Sequence, residues 1–152
     1  MSVLEPGAEV PDFRLIAEDG KQFTQDSLQG KTTVLVFYPF AFSPVCTDQL
    51  QVYECSLQEI EAQGARMYGV SCDATYSQKA FRKKLGVSIP QLSDFEPKGA
   101  ACRAFGVLHP GGFPQRALVI VGTDGVVRWS YQAPSPVDLP PANMILGGLK
   151  NV

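Results

Sequence analysis

Hydrophobic positions follow three different rhythms along this chain, and each rhythm predicts a different kind of element. In Asp12–Thr24, Phe13, Leu15 and Phe23 flank a Glu18-Asp19-Gly20 turn, which predicts a β-hairpin. Thr33–Tyr38 is an unbroken apolar run of β-formers, the pattern of a central strand covered on both faces. From Cys46 to about Gln63, Leu50, Tyr53, Leu57 and Ile60 return at helical spacing, while Asp48, Gln51, Gln58, Glu59 and Glu61 fill the other side. This predicts one amphipathic helix, stopped by Gly64. Arg66–Ser71 reads as the next strand, and strand, helix, strand implies a parallel crossover. Ser77–Leu85 and Pro97–Phe105 read as helices stopped by Gly86 and Gly106. Ala117–Val121 and Val126–Tyr131 enclose an Asp124-Gly125 hairpin signal, and a last helix is expected from near Pro140 to Lys150. The order of elements gives an α/β fold: a mixed central sheet flanked by helices, with an N-terminal β-hairpin.

At 152 residues and 45% hydrophobic residues, the chain suits one domain, residues 1–152, with a full-sized core. The Pro-rich stretch Ala133–Pro141 is too short to separate domains. A net charge of −2 with interspersed signs offers no basic stripe for nucleic acid or anionic lipid, so small molecules or proteins are the expected partners. The N-terminus lacks a basic segment followed by an apolar one, and no apolar run approaches ~18 residues, so a cytoplasmic protein is expected.

The four cysteines, Cys46, Cys55, Cys72 and Cys102, make no Cys-x-x-Cys pair, and His109 is the only histidine, which disfavours zinc. A core of this size needs no disulfide staple. Cys46 is distinctive because it closes the apolar segment Phe37–Val45 where a helix begins. A helix N-terminus offers unpaired N–H groups and a positive dipole end, which favour thiolate over thiol. The other candidates have ordinary readings: Cys72 and Cys102 as packed thiols, His109 as a solvated loop residue, Arg116 as a strand-start charge. Phe40 and Phe42 read as core packing or pocket walls, and Trp129 as core or dimer interface.

Pro39-Phe40-Ala41-Phe42-Ser43-Pro44-Val45-Cys46 fits the pattern Pro-x-x-x-Thr/Ser-x-x-Cys, and in it the chain resembles the peroxiredoxins, whose fold is thioredoxin-like. The resemblance continues through Gly69–Asp73, Leu92–Phe95 and Gln115–Ile120, covering about residues 3 to 131. It looks most like the alkyl hydroperoxide reductase E-type branch, with the bacterioferritin-comigratory type second. The resemblance implies a thiol-specific peroxidase that reduces hydrogen peroxide and organic hydroperoxides without metal or other cofactor. Cys46 would be the nucleophile and become sulfenic acid, and the N–H groups of Val45 and Cys46 would hold the peroxide oxygens. Arg116 would stabilise thiolate and transition state, Ser43 would hydrogen-bond the peroxide, and Pro39 would shield the sulfur from water. Thioredoxin, a glutaredoxin-like protein or a low-molecular-weight thiol would be the reductant, and a homodimer the assembly. Two positions depart from the pattern: Ser43 stands where threonine is commoner, and Gln49 where many members carry glutamate.

The thiol that resolves the sulfenic acid stays open. Cys55 in an intact helix would sit ~13 Å along and roughly 180° around the axis from Cys46. Pairing needs Cα atoms within about 7 Å, so the helix would have to unwind. Cys72, Cys102 and an outside thiol are the other choices. A peroxide-sensing regulator oxidised once at Cys46 is an alternative function, which multiple turnover would exclude. A thiol–disulfide oxidoreductase is another, although Cys46-Thr47-Asp48-Gln49 lacks the second cysteine that function needs.

Overall fold

The apolar run in the first third of the chain lies at the centre of a seven-stranded mixed sheet. The computed structural model describes residues 2–152. Strand β3, Thr32–Phe37, pairs in parallel with β4, Ala65–Ser71, and antiparallel with β6, Ala117–Val121. Beyond β4 come β5, Gln91–Ser93, and then β1, Arg14–Ala17, and β2, Gln22–Thr24, which form the expected hairpin. Strand β7, Val127–Gln132, closes the other edge against β6, giving the order β2-β1-β5-β4-β3-β6-β7. Val34 to Phe37 are fully buried, as a strand covered on both faces requires.

Alternation along β3 divides the core in two. Leu35 and Phe37 face one cluster with Phe13, Leu15, Cys102 and Phe105, while Val34, Val36 and Tyr38 face another with Cys46, Leu50, Tyr53, Phe81 and Ile145. The second face is covered by helices α1, Pro44–Glu54, α2, Leu57–Ala62, α3, Thr75–Leu85, and α5, Ala142–Leu149. The first is covered by the short α4, Ala100–Ala104. Among the described residues, no helix is long and apolar enough to cross a membrane.

Two helices differ from expectation for local reasons. The single helix expected over residues 46–63 starts earlier, at Pro44, and breaks after Glu54. Cys55 and Ser56 donate their N–H groups three residues back, to Val52 and Tyr53, so the helix tightens and ends. Ser56, at φ −103° and ψ 0°, then starts α2 afresh. The helix expected over residues 97–105 is confined to α4, because Gly99 takes φ 75°, a left-handed geometry that no right-handed helix includes. Helix α3 begins two residues before its expected start and ends at Gly86, as the sequence indicates.

Candidate active site

Strand β3 delivers the chain to Tyr38, whose N–H bonds Val70 O at 3.0 Å, and a short loop then turns into α1. The loop is held by Asp73, which accepts the Ala41 N–H at 2.8 Å, and Phe42 turns it at φ 71°. Ser43 is the extended N-cap residue, and Pro44 follows at the helix start, where a missing N–H is harmless. Cys46 is therefore in the first turn of α1. Among the described residues, no acceptor faces the N–H groups of Val45 and Cys46.

Arg116 immediately precedes β6 and points to the same face as Leu118 and Ile120, the face that carries Cys46. Its guanidinium makes a three-way contact. Nη2 donates to Cys46 Sγ at 3.2 Å, Nη1 to Gln49 Oε1, and Nε to Pro136 O at 2.7 Å. Gln49 in turn donates to Tyr53 Oη at 3.2 Å, and Tyr53 donates to Pro140 O at 2.6 Å. The relay thus runs from the sulfur to the segment that precedes α5. Burial pushes the Tyr53 hydroxyl up to about 12, with the Gln49 hydrogen bond and the Arg116 charge acting against the rise.

Arg116 is 2% exposed, yet no carboxylate pairs with it; the ion pairs among the described residues are Arg82–Glu18 and Arg128–Asp124. Of its three partners, only the sulfur is able to carry a negative charge.

A cavity of about 380 Å³ lies over this centre, lined mainly by Pro39, Phe40, Val45, Phe113, Pro136 and Val137, with Ser43 and Arg116 among its walls. Cys46 itself is covered completely.

The structure brings together Pro39, Ser43, Val45, Cys46 and Arg116, the residues singled out in sequence. Ser43 differs in detail, since its hydroxyl donates to Phe40 O at 2.9 Å and leaves its own oxygen as an acceptor. Cys55 is exposed at the end of α1, with Sγ on Gln51 O at 3.6 Å. Cys72 and Cys102 pack on the opposite face of the sheet. His109, expected to be solvated, is half-buried and stacks on Phe113 at 4.2 Å between centroids. Trp129 is half-buried, lying against the second cluster. Phe40 and Phe42 are about half exposed and belong to the loop surface rather than the core.

Sequence reading missed Tyr53 as a polar partner, although its spacing from Cys46 and Gln49 places all three on one helix face. It also missed Asp73, Phe113, Pro136 and Val137, which reach the site only through tertiary packing.

A thioredoxin-like sheet that leads into a helix with a buried cysteine in its first turn, under an arginine from a distant strand, defines the peroxiredoxin class of thiol enzymes. The chain belongs to the AhpC/TSA family, which it matches over residues 6–130. It is similar to alkyl hydroperoxide reductase E of Mycobacterium tuberculosis, with 31% identity over 130 residues that span 84% of this chain and 85% of that protein. It is also similar to the 1-Cys peroxiredoxin PER1 of Hordeum vulgare, with 31% identity over 148 residues, 89% of this chain and 67% of that one. Among solved structures, peroxidoxin BcpB of Mycobacterium tuberculosis superposes with a TM-score of 0.84 at 26% identity, covering 98% of each chain. Both branches suggested by the motif wording are thus among its relatives.

Proposed function

We propose that the protein reduces organic hydroperoxides and hydrogen peroxide at Cys46 and is regenerated by an outside thiol. The Cys46 thiolate attacks one peroxide oxygen, the O–O bond breaks, and the other oxygen leaves as alcohol or water after taking a proton. The sulfur is left as sulfenic acid. A first thiol displaces water to give a mixed disulfide, and a second releases Cys46 and carries away the disulfide.

The observation that carries this reading is the 3.2 Å contact from Arg116 Nη2 to Cys46 Sγ. The Arg116 guanidinium is buried with no carboxylate partner, so its field acts on the sulfur and favours charge spreading toward the peroxide in the transition state. The free N–H groups of Val45 and Cys46 suit the leaving oxygen. Ser43 Oγ accepts the peroxide O–H while donating to Phe40 O, and buried Pro39 adds no donor that would draw water to the sulfur. The largely apolar cavity over the site supports organic hydroperoxides as substrates.

An outside reductant is supported by the distribution of thiols. Cys55 stands at the far end of α1, and Cys72 and Cys102 lie across the sheet. The name of the Hordeum vulgare relative, a 1-Cys peroxiredoxin, agrees with this. Exposed Phe40 and Val137 on the cavity wall, with exposed Phe42 in the same loop, favour a homodimer there, which light scattering would test.

The test is turnover. With excess thiol reductant the native chain should consume many equivalents of peroxide, and Cys46→Ser should consume none. A Cys46→Ser chain that keeps its turnover overturns the reading.

A further inference from the structure

We propose that Cys72 and Cys102 form a second redox centre, a dithiol that peroxide converts into an intrachain disulfide, on the face of the sheet opposite Cys46. The two sulfurs and a carboxylate oxygen of Asp94 all lie within 4.8 Å of one another. Three separate segments bring them there. Cys72 follows the last residue of β4, Asp94 follows the last residue of β5, and Cys102 sits within α4.

The convergence is built rather than incidental. Asp94 N–H bonds Ser71 O at 2.8 Å, which ties the end of β5 to the residue before Cys72. The Asp94 carboxylate accepts the Ala101 N–H at 3.0 Å and the Cys102 N–H at 2.8 Å, so it fixes the first turn of α4 beside the strand ends. Cys102 sulfur lies between the Asp94 carboxylate and Cys72 sulfur, hydrogen-bonded to both.

The thiols are unequal in access and in acidity. Cys72 is half-buried and lines a cavity of about 450 Å³ with Pro39, Phe40, Asp73, Ser77 and Lys98, a space large enough for a small peroxide. Cys102 is completely covered. The hydrogen bond with Cys102 lowers the Cys72 thiol, against the effect of burial. The same contact, together with burial and the neighbouring Asp94, holds Cys102 well above the usual thiol range. The accessible sulfur is thus the nucleophile, and the sheltered one is the thiol that resolves it.

The chemistry balances with peroxide as the oxidant. Cys72 sulfur attacks one peroxide oxygen and becomes sulfenic acid, and the other oxygen leaves as water or alcohol. Cys102 sulfur then attacks Cys72 sulfur, its proton passes to the departing hydroxyl, and water is released as the S–S bond forms. Two thiols are oxidised by one peroxide. An S–S bond is ~2.0 Å long, so the sulfurs must approach by at most about 3 Å, a movement that side-chain rotation and the five-residue α4 can share.

The test removes the other two cysteines, so its outcome does not depend on the role of Cys46. The Cys46→Ser/Cys55→Ser chain, treated with hydrogen peroxide and then denatured, should fall from two titratable thiols to none, and dithiothreitol should restore both. Peptide mapping should find the Cys72 peptide joined to the Cys102 peptide. The unaltered chain should give the same linked peptide, which guards against a variant that fails to fold. Persistence of both thiols overturns the proposal, as does sulfinic acid at Cys72 beside a free Cys102. So does protection of both thiols by one bound equivalent of zinc, which would make the cluster a metal site instead.

Discussion

Arg116 places a guanidinium nitrogen 3.2 Å from the sulfur of Cys46, a residue 70 positions earlier in the chain. The register of β3 with β6 makes this possible. Phe37, at the end of β3, stands opposite Ala117, so the loop entering α1 and the residue entering β6 meet at one end of the sheet. Gln49 and Pro136 then fix the guanidinium at its other nitrogens.

Arg116→Lys tests whether charge alone suffices. A single ammonium is unable to serve Cys46 Sγ, Gln49 Oε1 and Pro136 O together, as the planar fork does. We expect the second-order rate of Cys46 oxidation, followed by stopped flow, to fall by about 10²-fold, the scale of losing one well-placed transition-state donor. A rate within twofold of the native chain, with an unchanged circular dichroism spectrum, would contradict this.

Gln49→Leu breaks the relay at its middle: buried Arg116 Nη1 loses its acceptor, and Tyr53 Oη loses the donor it accepts from and keeps only its bond to Pro140 O. The expected loss is about 2–4 kcal/mol in denaturant unfolding, with slower peroxide consumption. A stability change below about 0.5 kcal/mol, the scale of an ordinary surface substitution, would show that the relay contributes little.

Tyr53 sets an alkaline limit. Folded, its hydroxyl is pushed from the usual 10 up to about 12, chiefly by burial. The unfolded chain gives up this proton near pH 10 and the folded chain keeps it. The associated stability is fully present below pH 10 and is lost as pH rises toward 12. The two-unit interval corresponds to roughly 2–3 kcal/mol. Tyr53→Phe should therefore show a shallower loss of stability between pH 10 and 12. Parallel curves for the two proteins, measured by urea unfolding at several pH values, would refute the assignment.

Ser43 is expected to act through its oxygen, because its hydrogen is directed to Phe40 O. Ser43→Ala should slow peroxide reduction by about tenfold, the worth of one ordinary hydrogen bond. Ser43→Thr should preserve the rate, since the extended backbone at φ −72° and ψ 151° accommodates a β-branched residue. Equal rates for the alanine variant and the native chain would remove Ser43 from the mechanism.

Much of this architecture was legible because periodicity reports burial directly. The run Thr33–Tyr38 marked the central strand, and the Asp124-Gly125 and Asp19-Gly20 signals marked both hairpins. The break at Cys55 and Ser56 was not legible, since Leu57 and Ile60 keep helical spacing across it and only the backbone bonds reveal the tightened turn. Cys46 stood out through its local motif and Arg116 only through the family resemblance, and the structure puts the two in contact. The pairing of Cys72 with Cys102 was not, because it depends on where α4 lands, and that is set by Gly99 and the Asp94 carboxylate rather than by any pattern around the cysteines.

Phe42 is the one non-glycine residue among those described that adopts positive φ, at 71°. Holding a side chain with a β-carbon in that geometry costs on the order of 1–2 kcal/mol, and the ring is kept there by Phe81 of α3 at 5.2 Å between centroids. The turn before α1 is therefore held against its local backbone preference by a contact with a neighbouring helix. The start of the helix that carries Cys46 thus rests on packing between two aromatic rings rather than on the backbone preference of the turn itself.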